Sequence, residues 1–131
     1  MRDLIRLSKK LLFEIDRIDM PQIISKAVPT ALEKLEKAGI SITHKRIECS
    51  VLKPTQENYI REKVERIKDS LDEVDEVDPI VCSNDNQIVD GHHRWVAVKE
   101  KFGDNSKIPS YVIGVSIEKA LGIYAALSKK Q

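Results

Sequence analysis

The chain has 131 residues, 41% hydrophobic and 33% charged, and its 22 basic and 21 acidic side chains leave a formal net charge of +1. That length suits a single hydrophobic core. The near-balance of charge argues against a whole-surface grip on nucleic acid while leaving room for a local basic patch. Two cysteines, Cys49 and Cys82, lie far apart without CxxC spacing, and no run approaches the ~20 apolar residues that cross a membrane, so the expectation is free thiols, a cytoplasmic location and no membrane partner.

Leu4, Leu7, Leu11 and Ile15 recur at helical spacing and predict an amphipathic helix over residues 2–17. Pro21 ends it. Residues 18–23 then read as irregular, either a connector or a lid. Thr30 with Glu33 has the spacing of a capping box and predicts a second helix that begins at Thr30 and stops at Gly39. These helices are expected to form an N-terminal extension, residues 1–45, packed on a core domain of residues 46–131.

Ile47, Cys49 and Val51 alternate and predict a strand over residues 46–52. Ile60, Val64, Ile67 and Leu71 form one apolar stripe, the mark of a third helix. Residues 72–78 are an acidic connector, read as a solvated loop. Pro79-Ile80-Val81-Cys82 and Gln87-Ile88-Val89 flank the turn residues Asn84-Asp85-Asn86 and predict a β-hairpin. A helix follows with Trp95, Val98 and Phe102 on one side, which makes Trp95 a core anchor, and Gly103 ends it. Residues 108–115 are a further apolar run, and Pro109 within it suggests an edge strand. Ser116 is placed to cap a last helix carrying Ile117, Leu121 and Tyr124. The whole predicts a small α+β domain: a short mixed sheet with helices packed around it.

The segment Val89-Asp90-Gly91-His92-His93-Arg94 differs from the rest. A strand ends, a tight turn follows and a helix begins. The N–H groups of a helix's first turn have no intrahelical partner and carry partial positive charge. Gly91 lets a ligand oxygen approach the backbone, and His92, His93 and Arg94 add donors at the same place. Arg94 can grip two phosphate oxygens with its planar fork. Together these features suit a phosphate, nucleotide or other anion. Asp90 is anomalous beside an anion. It can cap the helix, hold an imidazole, bind Mg²⁺ that travels with a nucleotide, or act as a base; the sequence leaves the four open. His92 and His93 alone are a poor metal site, because adjacent helical residues diverge by about 100°. His44 reads as a surface residue.

Pro79-Ile80-Val81, then Ile88-Val89-Asp90-Gly91-His92-His93-Arg94-Trp95-Val96-Ala97, then Ile108-Pro109, resembles the ParB/sulfiredoxin superfamily over roughly residues 46–127. The Asp-Gly-His-His-Arg wording is similar to a branch that includes a free-serine kinase and small phage proteins described as ParB-like nucleases. The resemblance implies a nucleotide-phosphate loop at Gly91, His92, His93 and Arg94. It also implies an acidic phosphoryl-transfer residue at Asp90, and a substrate side at Thr55, Gln56 and Glu57. The bland reading of that last trio is the start of the third helix. Two departures limit the carry-over. The nucleophilic cysteine of sulfiredoxins is replaced here by His92, so sulfinic-acid repair is not expected. The arginine-rich turn of partition proteins is absent, and no helix-turn-helix follows, so a complete partition protein is not expected either.

Three functions compete. The first is a nucleotide enzyme using ATP, ADP or CTP with Mg²⁺, in which Asp90, His93 and Glu57 are catalytic and Asp90 also meets the metal. The second is a nuclease or DNA-associated accessory protein, with His93 as acid or base and Arg94 as phosphate clamp. The third is a non-catalytic interaction module.

Overall fold

A computed structural model describes residue 23, residues 25–56 and residues 58–128. The helix expected over residues 2–17 and the connector up to Gln22 lie outside the described residues, as does Glu57. After a 3₁₀ turn at Ser25–Ala27, the elements run α1 (Val28–Lys37), β1 (Ile42–Glu48), α2 (Arg61–Ser70), β2 (Ile80–Ser83), β3 (Ile88–Asp90), α3 (His92–Phe102), β4 (Lys107–Ile113) and α4 (Ile117–Ser128). A second 3₁₀ turn, Val74–Glu76, lies between α2 and β2. This is the α+β arrangement predicted, built on a four-stranded mixed sheet.

The strand order is β1-β4-β2-β3. β1 and β4 are antiparallel, with Ile42 opposite Ile113 and Ile47 opposite Ile108. β4 and β2 are parallel, with Ile80 opposite Ser110, and β2 returns antiparallel into β3. Alternation then sends side chains to two cores. On one face Val81, Val89 and Ile113 meet Val28, Leu32 and Leu35 of α1 and Ala120, Leu121 and Tyr124 of α4. On the other, Ile80, Cys82, Ile88, Ile108 and Val112 meet Trp95 and Val98 of α3, with Leu71 and Val77. The Trp95 Nε1 donates to the Cys49 carbonyl at 3.0 Å, so the indole is the core anchor its helical face predicted.

Three expectations about elements are corrected. The helix expected to start at Thr30 starts at Val28; Ala27 is its N-cap with no side-chain bond, and Pro29 sits in the first turn, where its missing N–H costs nothing. Its end is as predicted. Gly39 has φ +91°, its N–H bonds the Glu36 carbonyl at 3.0 Å, and Ile40 N–H bonds the Leu35 carbonyl at 3.0 Å, a Schellman closure. The strand expected over residues 46–52 covers Ile42–Glu48, and Val51 is exposed beyond it. Its first half carries Thr43, His44, Lys45 and Arg46, all exposed, so it shows no apolar alternation to detect.

The third correction is larger. The strand containing Pro109 is not at an edge; it lies between β1 and β2. Pro109 is tolerated because the β2 ladder begins one residue later, at Ser110, so no rung to β2 is lost.

The hairpin of residues 79–90 is as predicted, with Asn86 in the left-handed region at φ 62°. α2 carries Val64 and Ile67 toward the core, while Ile60, the first residue of the predicted stripe, precedes the helix and is exposed. An exposed network ties α2 to α3: Arg61 donates to Glu100 and Glu65, and Lys68 reaches Glu100 at 3.2 Å. The Arg61 guanidinium holds the Glu100 carboxyl down at about 2. The acidic connector is largely solvated, although Val77 is buried and Asp75 pairs with Arg46 at 3.1 Å. Among the described residues, no helix is long and apolar enough to cross a membrane.

Candidate functional site

The Asp90 to Arg94 motif sits where β3 ends and α3 begins, as the sequence predicts. Gly91 is the N-cap, with φ +98° and ψ 25°. This left-handed backbone is natural for glycine and strained for other residues. A Cβ there would meet the Arg94 Nη2 and the Ile80 Cγ2, each at 2.8 Å. Glycine is therefore required twice, by backbone angle and by the buried Ile80 side chain packed against the turn. The first intrahelical bond runs from Trp95 N–H to the Gly91 carbonyl at 3.0 Å, and no side chain caps α3. The turn thus presents the N-terminal pole of an 11-residue helix beside a fixed cation.

Arg94 is largely buried. Its Nη2 lies 4.0 Å from Asp90 Oδ1, and its Nη1 makes a long contact of 3.5 Å with the Asp78 carbonyl. Asp90 is better held. Its Oδ2 accepts the Tyr124 hydroxyl at 2.6 Å and the Ile23 N–H at 3.4 Å. Of the four roles open to Asp90, capping and holding an imidazole find no support in these contacts. Tyr124 is fully buried, and its hydroxyl is pushed well above the usual phenol range by burial and by the Asp90 carboxylate. Sequence reasoning placed Tyr124 only in the core. A phenol in an otherwise apolar stripe needs a polar partner, and that need was the available signal for its link to Asp90.

Both histidine rings meet the segment that precedes α2. His92 is 3% exposed, and its Nε2 accepts the Thr55 N–H at 3.0 Å. The Thr55 hydroxyl gives its proton to the Ile88 carbonyl at 2.7 Å. Burial, with the neighbouring His93 and Arg94, pushes the His92 imidazole down to about 3, so the ring is neutral. His93 Nε2 accepts the Ile60 N–H at 2.9 Å, and the ring meets Tyr59 edge-on. Both Nε2 atoms therefore face loop amides rather than an anion.

The expected substrate side is brought to the same place. Thr55 and Gln56 are buried next to the α3 start, and the Gln56 amide donates to the Asn58 carbonyl. These residues do not begin the third helix, which starts at Arg61. Lys53 ties the loop to β3 as well, through an N–H to the Asn86 carbonyl at 2.9 Å and a carbonyl taken by Ile88 N–H at 2.8 Å.

Residues 29–127 match the family model described as the ParB N-terminal domain. The chain belongs to that family. The match covers all four strands, the whole turn and most of α4, and it agrees with the resemblance carried by the motif. No curated protein and no solved structure matches the chain. Within this ParB N-terminal domain, the described residues contain no group of three or more His, Cys, Asp or Glu placed to hold a metal ion. Asp90 alone suits Mg²⁺, which typically takes one or two carboxylates and completes its shell with phosphates and water.

Proposed function

We propose that this domain binds the phosphates of a nucleotide at residues 91–94 and acts on them by hydrolysis or phosphoryl transfer. The observation that carries the reading is the uncapped α3 terminus at left-handed Gly91 with the Arg94 guanidinium laid across it. Helix-terminal N–H groups and a planar cation converge there, and a Cβ on residue 91 would obstruct them. Asp90 stands at the rim, oriented by Tyr124, where it could contact a Mg²⁺ ion brought by the phosphates. That ion would supply charge neutralisation. The chain's own residues supply the rest: Arg94 holds phosphate oxygens and draws off developing charge, and the loop beginning at Thr55 faces the turn as the place for an acceptor.

The test is thermal unfolding with ATP, ADP, CTP and GTP, each with Mg²⁺, for the wild type, Arg94→Ala and Asp90→Ala. A ligand at about 100 times its Kd adds roughly 2.7 kcal/mol, a rise of several degrees. A rise with one nucleotide that disappears in Arg94→Ala supports the site, and turnover lost in Asp90→Ala supports the chemistry. No rise with any nucleotide, or equal rises in wild type and Arg94→Ala, would sink the reading.

A further inference from the structure

The two histidines make the same contact with opposite ends of one loop. Thr55 N–H reaches His92 Nε2 at 3.0 Å, and Ile60 N–H reaches His93 Nε2 at 2.9 Å. A backbone N–H can only donate, so each Nε2 must offer a lone pair and each neutral ring carries its proton on Nδ1. The Thr55 hydroxyl gives its single proton to the Ile88 carbonyl, so its Oγ1, 3.2 Å from His92 Nε2, does not donate to the ring, and the Thr55 N–H is the donor there. Adjacent residues in a helix's first turn point about 100° apart. That divergence, which makes the pair a poor metal site, is what lets it grip two points five residues apart.

We propose that His92 and His93 are positioning residues: two neutral imidazoles that latch the loop at Thr55 and at Ile60 onto the first turn of α3. The motif that forms the anion turn thereby also assembles the wall facing it. Arg94 is then the one side chain of the His-His-Arg trio that serves the anion. The latch stands whatever the turn binds; only its consequence for an acceptor site rests on the nucleotide reading.

Amide hydrogen exchange and imidazole nitrogen NMR on the ¹⁵N-labelled full chain test it. In the wild type at neutral pH, both rings should be protonated at Nδ1 and bare at Nε2. In His92→Ala the Thr55 amide, and in His93→Ala the Ile60 amide, should exchange about tenfold faster or more, while β2 and β4 amides keep their protection. Glutamine can place its Oε1 near the Nε2 position, so His92→Gln and His93→Gln should restore most of the protection. A proton on either Nε2, or unchanged exchange in the alanine variants, would overturn the latch. The ring measurement needs no substitution, so it decides the matter even where His92→Ala does not fold. ATP titration adds a separate readout. If nucleotide binds, binding should be lost in Arg94→Ala. No ATP binding by the wild type would defeat the nucleotide reading and leave the exchange result standing.

Discussion

At position 91 two independent penalties coincide, and either would select glycine. A side chain at φ +98° is strained, and its Cβ would lie 2.8 Å from both Ile80 Cγ2 and the Arg94 guanidinium. Ile80 is fully buried and cannot yield, so the strain and the overpacking add. Gly91→Ala should therefore cost about 2–4 kcal/mol in chemical denaturation; a loss under about 0.5 kcal/mol would mean that the turn relaxes freely. Tyr124→Phe probes the neighbouring carboxylate. It removes a 2.6 Å bond to a side chain that is only 12% exposed, and bonds to charged groups are worth about 1.5–3 kcal/mol. A cost in that range is expected, and a neutral result would show that water or Arg94 replaces the phenol. The need for glycine was legible from the strand–turn–helix pattern. The role of the histidines was not, because sequence gives the ring but not what each nitrogen faces.

Between elements, the contact of the 55–60 loop with α3 makes a pH signature. His92 is neutral in the folded protein, with its pKa lowered from 6.5 to about 3 chiefly by burial. The unfolded chain binds a proton at this residue below pH 6.5 and the folded chain does not until about pH 3, so stability is full above 6.5 and is lost as pH falls through that window. Lowering the pH from 7 to 5 should cost about 2 kcal/mol by this route, before the carboxylates titrate. Urea titrations at the two pH values measure it, and the difference should shrink in His92→Gln. An undiminished difference in that variant would place the proton uptake elsewhere. Element identity itself was largely legible. The 3.6-residue stripes of α2 and α4 and the Asn86 turn are local signals that tertiary structure had no reason to overrule. Pro109 was misleading because the rule that keeps proline at edges concerns lost rungs, and a strand can be central in the sheet while one of its residues lies beyond a neighbour's ladder.

For the whole molecule, the sheet divides the interior into two cores, and which helix covers which face was not legible in the sequence. That assignment depends on strand order, with β4 inserted between β1 and β2, and order is set by long-range pairing. Cys49 and Cys82 report on one of those cores. Both lie fully buried on the α2–α3 side, Cys82 in an inner strand of the sheet and Cys49 just after edge strand β1, next to Ser106. Burial raises both thiols, Cys82 up to about 12, so neither offers appreciable thiolate at neutral pH. Thiol labelling in the native state should therefore be slow at both, and each rate should follow the opening that exposes it. If the core is one cooperative unit, the two cysteines label with opening free energies equal within about 1 kcal/mol, both near the global stability. Mass spectrometry of pulse-labelled protein resolves the two sites. Faster labelling of Cys49 alone would show that the β1 end frays before the inner strands part. Because the 55–60 loop descends directly from that end, such fraying would also loosen the wall that the two histidines hold in place.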